Sequence, residues 1–168
     1  TKYKSKELYV WLVYSYSIVE RQDDDFTYSP HFDRRHNVNF VTSVNLDKKR
    51  TWKADVRWNL GSGFPFTQTQ GFYENISFDD GINTDITQIN GELEIAYAEL
   101  NKGRLPYYHR LDFSVSKKFE LFKSSDLDVT FSVTNMYNRE NIFYFNRVKY
   151  ERINQLPLMP SLGASLIF

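Results

Sequence analysis

The sequence contains no cysteine, and its 21 basic residues are balanced by 21 acidic ones. The lack of cysteine excludes disulfides, thiol chemistry and cysteine-based zinc sites, although it does not distinguish the cytosol from a non-reducing compartment. The balanced charges are scattered without a basic stripe. We therefore expect no nucleic-acid partner.

Long apolar runs are also missing. The longest covers residues 8–14, much less than the ~20 residues of a transmembrane helix. The chain starts with TKYKSKE, which is neither an initiator methionine nor a signal peptide. We expect it to be a processed product or the ordered part of a longer protein.

Aromatic residues, in contrast, make up 17% of the chain, while the mean hydropathy is −0.54. Many aromatic residues in a polar average suit a β protein whose strands are apolar on one face only. With 168 residues, the chain is long enough for one domain of ordinary size.

Apolar and polar residues alternate in six segments, which predicts strands rather than helices. In the third segment, Trp52, Val56 and Trp58 share one face. Lys53 and Arg57 share the other face. The six segments are 8–18, 37–46, 52–60, 110–116, 127–134 and 161–168.

The lengths of these strands and of their connections favour a membrane barrel wall. With their flanking residues the segments predict strands of about 9 to 14 residues, which exceed the usual ~5 to 6 of globular proteins and approach the ~9 to 11 of membrane-spanning strands. Short links at 47–50 and 120–126 alternate with long ones at 21–35, 63–105 and 138–155. Outer-membrane barrels have this asymmetry, with the long loops extracellular and the short turns periplasmic.

A soluble antiparallel sandwich is the alternative, because its inner faces also alternate. It would bury Trp52 and Trp58 in one core and leave 63–105 as an unusually long loop. We prefer the barrel, because barrel tryptophans find a suitable place at the bilayer interfaces.

The barrel interpretation assigns every strand a lipid face and a lumen face. The predicted lipid faces carry one obvious cation, Lys117, close to a strand end. A set of charged residues lies on the predicted lumen faces, where we expect them to pair across strands or with a segment inside the barrel. These residues are Lys53, Asp55, Arg57, Arg110 and Asp112.

Five strings follow one another along the chain: GSGFPFT at 61–67, GFYEN at 71–75, RLPYYHRLDFSV at 104–115, VTNMYNREN at 133–141 and LPLMPSLGASLIF at 156–168. In this order they resemble TonB-dependent outer-membrane receptors, chiefly those of the Bacteroidetes type. The resemblance covers about residues 5–168, and each string alone is weakly specific.

This resemblance implies an all-β fold, the antiparallel transmembrane β-barrel, of which residues 1–168 would be the C-terminal segment, the last six strands of roughly 22. It implies a cell outer membrane location in a Gram-negative bacterium, with the C-terminus periplasmic. The implied function is active import of a nutrient ligand with energy from the TonB complex. The alternative is a structural or adhesive barrel fragment without transport activity.

The expected partners follow from the same resemblance. They are outer-membrane lipid, the remaining strands and plug of the receptor, the TonB complex through that plug, and the barrel-assembly machinery. A surface lipoprotein is a further candidate. The terminal SLGASLIF resembles an outer-membrane assembly signal, carried by Ser161, Gly163, Leu166 and Phe168.

Ligand contacts are expected in the long link 63–105, where aromatic side chains could stack on a sugar, a peptide or an aromatic chelate. An interfacial aromatic belt is an equal alternative for these side chains. The candidates are Phe64, Phe66, Phe72, Tyr73 and Tyr97.

We expect no enzyme activity and no cofactor. His31, His36 and His109 lack the partners of a zinc site, and Ser114 belongs to a regular polar face rather than a nucleophile elbow. One acidic cluster is a weak calcium candidate, with a solvated turn as the alternative, because its spacing departs from an EF-hand loop. Its oxygen ligands would be Asp79, Asp80, Asn83 and Asp85.

Overall fold

The computed structural model describes residues 1–75, 91–122, 125–146, 149 and 151–168. These residues form β-strands and no helix. The strands are β1 (Lys2–Lys4), β2 (Leu8–Tyr16), β3 (Arg21–Asp23), β4 (Phe26–Tyr28), β5 (His36–Asn45), β6 (Trp52–Gly61), β7 (Pro65–Phe66), β8 (Thr69–Asn75), β9 (Glu92–Tyr97), β10 (Gly103–Arg104), β11 (Tyr108–Phe122), β12 (Ser125–Thr134), β13 (Ile142–Asn146), β14 (Glu151–Asn154) and β15 (Met159–Ile167).

Seven of these strands form one sheet in the order β1-β2-β5-β6-β11-β12-β15. Every neighbouring pair is antiparallel. The predicted all-β, antiparallel architecture is therefore confirmed, and the six predicted strands correspond to β2, β5, β6, β11, β12 and β15. The short β1 at one edge was not predicted, and the described residues form no closed barrel.

The strand register keeps like residues on the same face across the whole sheet. Trp58 of β6 lies opposite Phe40 of β5 and opposite Leu111 of β11. One apolar row reads Val10, Thr42, Val56, Phe113, Val133 and Pro160 from β2 to β15. The next row, on the other face, reads Tyr9, Ser43, Asp55, Ser114, Ser132 and Ser161.

The sheet is a single layer whose apolar face is open. Phe131 is 47% exposed and Leu162 is 77% exposed, although both lie within the apolar rows. Among the described residues no apolar side chain is buried. The alternation of apolar and polar residues is typical of a sheet with one covered face. In the described part of the chain, however, nothing covers the apolar face of this sheet.

At one end of the sheet, the connections are tight. The turn from β5 to β6 is fastened by Asp47, whose carboxylate accepts hydrogen bonds from the Trp52 amide and the Thr51 hydroxyl, both at 2.8 Å. The bond from the Trp52 amide is the main reason that the pKa of Asp47 is lowered. Arg50 completes the turn with a φ of 57°.

The chain divides into two compact units. The first comprises Thr1–Ile18, Arg34–Gly63 and Leu105–Phe168, and it contains the seven-stranded sheet. The second comprises Val19–Asp33 and Phe64–Arg104.

The long links contain hairpins that sequence alternation did not reveal. In the second unit β3 pairs with β4, β8 with β9, and β7 with β10. The link between β12 and β15, in the first unit, contains the β13–β14 hairpin. In the described part of the chain, no helix is long and apolar enough to cross a membrane.

Candidate functional site

The second unit is held together by a buried carboxylate. Asp33 has no exposed surface. Its Oδ1 accepts a hydrogen bond of 3.1 Å from the Val19 amide, and its Oδ2 pairs with the guanidinium of Arg104. The ion pair joins residues that are 71 positions apart, so it ties the segment 19–33 to the segment 64–104.

Asn101 makes a second tie within this unit. Its φ of 55° places it in the left-handed region, which asparagine tolerates better than most residues. Its amide donates to the Thr67 hydroxyl at 3.0 Å, and its side-chain amide donates to the Ser29 carbonyl at 2.9 Å. The two segments of the unit are therefore cross-linked by polar side chains rather than by an apolar core.

Two of the predicted ligand-contact residues, Phe72 and Tyr73, lie on opposite faces of one hairpin. Phe72 and Tyr73 are consecutive residues of β8, opposite Ile95 and Glu94 respectively, and consecutive strand residues point to opposite faces. Tyr97 lies opposite Thr69 across a register shift, and Phe66 belongs to the short β7–β10 pair. Phe64 lies just before β7 and is 37% exposed.

Tyr73 is engaged within its own hairpin. Its hydroxyl donates to Glu94 Oε2 at 2.7 Å, and the Asn75 side-chain amide donates to Glu94 Oε1 at 2.9 Å. The hydrogen bond from Tyr73 is the main cause of the lowered pKa of Glu94, and it raises the pKa of Tyr73. The Tyr73 ring remains available for stacking, since the side chain is 48% exposed.

The β3–β4 hairpin presents an aromatic pair that the sequence analysis missed. The rings of Phe26 and Tyr28 lie 5.8 Å apart with 29° between their planes, and Phe26 is 48% exposed. The Tyr28 hydroxyl donates to Asp23 Oδ2 at 3.0 Å, which raises the pKa of Tyr28. The sequence does contain a signal for this pair, because Phe26 and Tyr28 are two positions apart, and residues at this spacing lie on the same face of a strand.

On the polar face of the sheet, charges pair both along and across strands, since Lys118 of β11 also pairs with Asp126 of β12. Lys53 Nζ lies 2.9 Å from Asp55 Oδ1, and Arg110 lies 2.9 Å from Asp112 Oδ2. Arg57 is opposite Asp112, yet its guanidinium forms no hydrogen bond or ion pair within the described part of the chain. Lys53, Asp55, Arg110 and Asp112 do not pair across strands as expected, because residues two apart on the same strand face lie within reach of each other. Their expected contact with a segment inside the barrel stays a prediction.

The long link between β12 and β15 is organised by Asn135, which directly follows β12. Asn135 is fully buried with a φ of 54°. Its side-chain amide donates to the carbonyls of Arg139 at 2.9 Å and Leu156 at 3.0 Å, while its Oδ1 accepts from the Arg139 amide at 3.0 Å. Its own amide donates to Asp112 Oδ1 at 3.0 Å. The string VTNMYNREN thus forms a turn in which side chains supply the hydrogen-bond partners of backbone amides and carbonyls.

Lys117 lies on the apolar face, as predicted. Its Nζ is 4.7 Å from the centroid of the Trp52 ring and 4.6 Å from that of the Phe119 ring. Attraction to two ring faces lowers the cost of a cation in an apolar setting. Trp52 is directly opposite Lys117, at the end of the β6–β11 pair nearest the tight turns.

The four residues of the predicted assembly signal follow the faces of β15. Ser161 lies on the polar face, with its hydroxyl 2.7 Å from that of Ser132, and Gly163 is opposite Thr130. Leu166 is opposite Leu127 in an apolar row, and Phe168 is 90% exposed. The assembly interpretation itself stays a prediction.

The three histidines lie in separate surroundings. The His36 Nδ1 is 2.9 Å from the Tyr14 hydroxyl, the His109 Nδ1 is 2.6 Å from the Tyr137 hydroxyl, and His31 contacts the edge of the Phe32 ring. In the described ranges no group of three or more His, Asp or Glu side chains could hold a metal ion. The calcium candidates Asp79, Asp80, Asn83 and Asp85 lie outside the described residues.

Comparisons with protein-family models, with curated proteins and with solved structures found no match for this chain.

Proposed function

We propose that this chain is part of the wall of an outer-membrane β-barrel, the last six strands of a receptor of about 22 strands that imports a nutrient with energy from the TonB complex. The observation that carries the proposal is the single-layer sheet, on which apolar rows run in register from β2 to β15. In a membrane barrel, the lipid of the bilayer covers the apolar face of the sheet, while water or a polar segment contacts the polar face.

The dimensions of the sheet support this placement. β2 runs from Leu8 to Tyr16, and at about 3.3 Å per residue its ends are roughly 26 Å apart. A tilt of about 35 to 45° reduces this to roughly 20 Å along the membrane normal, close to the ~25 Å apolar band of outer-membrane barrels.

The placement of Lys117 supports the same assignment. A lysine at the midplane of a lipid face costs about 2 to 4 kcal/mol, but close to the interface the cost falls to about 0 to 1 kcal/mol. Lys117 is paired with Trp52 at the end of its ladder, where tryptophan is favoured by the bilayer interface.

In this proposal the second unit and the β13–β14 hairpin belong to the extracellular side, where the exposed aromatic side chains are candidates for ligand capture. Displacement of a plug by the TonB complex would then open a path past the polar face of the sheet. The chain contributes wall, rim and loops, and its residues carry out no bond chemistry. A structural or adhesive barrel is the second candidate, because the same exposed aromatics could serve adhesion.

The three tryptophans provide a test of the membrane placement. Trp58 lies on the apolar face, opposite Phe40. Trp11 lies on the polar face, because it is opposite Val41, which is in turn opposite Arg57. In variants that retain only Trp58 or only Trp11, the others being replaced by Phe, brominated acyl chains should quench the fluorescence of Trp58 and spare that of Trp11. Equal quenching of both, or of neither, would contradict a lipid-facing apolar surface.

Transport is tested separately in living cells. Strains that lack the complete protein, or that lack the TonB complex, would be grown on single sources of iron chelate, vitamin, glycan or peptide. Import predicts the same growth defect in both strains on one of these sources. Normal growth of both, together with weaker surface attachment of the first strain, would favour the structural alternative.

A further inference from the structure

A basic pocket lies in the sheet unit, defined by Lys4, Lys6, Arg50 and Lys53, with Glu7 as its acidic member. It has a volume of about 790 Å³, which lies within the ~300 to 1,000 Å³ of ligand pockets. It opens at the end of the sheet where the tight turns lie, next to the polar-face residues Tyr9 and Ser43.

The backbone that presents these cations is fixed by hydrogen bonds. The turn between β1 and β2 is closed by Ser5, whose amide donates to the Leu8 carbonyl at 2.8 Å and whose hydroxyl accepts from the Leu8 amide at 3.0 Å. Asn45 joins this turn to β5, because its amide donates to the Glu7 carbonyl at 2.8 Å and its side chain donates to the Lys6 carbonyl at 3.3 Å. The pocket is therefore built before any ligand arrives.

Its charges are poorly balanced by the chain. Lys53 is paired with Asp55 at 2.9 Å. Among the residues that the structure describes, no ion pair or hydrogen bond is formed by the side chains of Lys4, Lys6 or Arg50. Lys4, Lys6 and Arg50 thus line one concavity with a single carboxylate, that of Glu7, and their mutual repulsion is relieved by a further anion.

We propose that the basic pocket binds an acidic segment of a polypeptide, whose carboxylates meet Lys4, Lys6 and Arg50. A lipid phosphate is disfavoured, because its acyl chains would need an apolar surface beside the cations, whereas the pocket opens on the polar face. Ser43 and Asn45 line the pocket. The Ser43 hydroxyl donates to Asp55 and the Asn45 side-chain nitrogen donates to the Lys6 carbonyl, so their side-chain oxygens are the groups that can accept hydrogen bonds from peptide amides. This inference goes beyond the proposed transport function, since it requires only the sheet and its turns.

The test uses the complete protein in detergent and a fluorescent hexaglutamate peptide as the probe. The pocket variant carries Lys4→Gln, Lys6→Gln and Arg50→Gln. The control variant carries Lys48→Gln and Lys49→Gln, which lie on the same turn as Arg50 but do not line the pocket. We expect the pocket variant to bind the peptide about tenfold more weakly, or about 1.4 kcal/mol, and the control to stay within about twofold of wild type.

Three results would overturn the proposal: no measurable binding of the peptide by the wild-type protein, equal weakening by both variants, or displacement of the peptide by an equal concentration of inorganic phosphate. The last would identify a site for small anions. All substituted side chains are exposed, and single Lys4→Gln and Arg50→Gln variants provide the same comparison if the triple variant fails to fold. Raising the salt until the Debye length is about 3 Å should abolish genuine binding.

Discussion

Gly63 lies directly against the backbone of Leu105, within the first unit. A Cβ at position 63 would overlap the carbonyl oxygen and carbonyl carbon of Leu105. Because these atoms belong to the backbone, no side-chain rotation removes the overlap. Only glycine therefore allows the segment that leaves β6 to lie this close to the segment that leads into β11.

We predict that Gly63→Ala lowers the free energy of unfolding by about 3 kcal/mol or more, since the backbone must shift to admit the methyl group. Gly71→Ala is the matched control, because a Cβ there meets nothing within 4 Å, and its effect should stay within about 0.5 kcal/mol. Denaturant unfolding in detergent measures both. Equal effects of the two substitutions would contradict the close contact.

Asp47 gives the β5–β6 turn a dependence on pH. Because the pKa of Asp47 is lowered in the folded protein, its contribution to stability is present above the unfolded pKa of about 3.9 and is lost as pH falls through the folded pKa. Asp47→Ala should therefore lower the melting temperature near pH 7, and the difference from wild type should shrink toward about pH 3.

The control for this pH dependence is Asp25→Ala, which removes an exposed carboxylate between β3 and β4. Its melting temperature should match that of wild type throughout the titration. A gap for Asp47→Ala that stays constant with pH would show that the carboxylate hydrogen bonds do not hold the turn.

At the element scale, the long strands were predictable and the hairpins of the long links were not. A strand such as β6 can be recognised from its sequence because apolar and polar residues alternate over its ten positions. β7 and β10 have two residues each, too few for a period to be visible. The buried Asp33 was missed for another reason, since its partner Arg104 is distant in sequence and no local pattern signals their pairing.

The Asp33–Arg104 pair makes a prediction about the second unit. Arg104→Ala breaks the ion pair between Arg104 and the buried carboxylate of Asp33, and the loss of one partner of a buried pair typically costs about 3 to 5 kcal/mol. Hydrogen exchange at the Val19 amide, which donates to Asp33, should accelerate accordingly.

The control is Lys102→Ala, which removes a salt bridge between Lys102 and Glu99 whose side chains are 67% and 72% exposed. A surface pair of this kind contributes about 0 to 1 kcal/mol, so exchange at Val19 should change little. If Lys102→Ala accelerates exchange as much as Arg104→Ala, the buried pair is not what holds the unit together.

At the scale of the whole molecule, the sequence predicted which face of each strand is apolar, and the register joins those faces into one surface. The charge pairs were predicted less well, because the reach of the side chains along a strand, as well as strand pairing, decides which groups meet. Phe113 and Ser114 are adjacent residues that belong to opposite faces of the complete sheet. They allow the two faces to be compared at the same depth.

Under the proposed membrane placement, we predict that Phe113→Arg destabilises the protein in lipid vesicles by about 2 to 4 kcal/mol, the cost of a cation near the midplane of a lipid face. Ser114→Arg should cost much less, because Ser114 lies between Asp55 and Ser132 on the polar face. Urea unfolding in vesicles measures the difference. A larger loss for Ser114→Arg would reverse the assignment of the faces.

The uniform faces of the sheet have a consequence for the fidelity of assembly. A strand that slips by one residue swaps its faces and is rejected by the hydrophobic pattern. A slip by two residues restores the alternation, so the pattern alone cannot detect it. Correct alignment must then depend on fixed points such as the Asp47 turn, the register shift between Glu120 and Phe122 and the contact of Gly63 with Leu105. Variants at these points should yield sheets that are misaligned but still amphipathic. The error leaves the apolar and polar faces unchanged and alters only which residues of neighbouring strands pair.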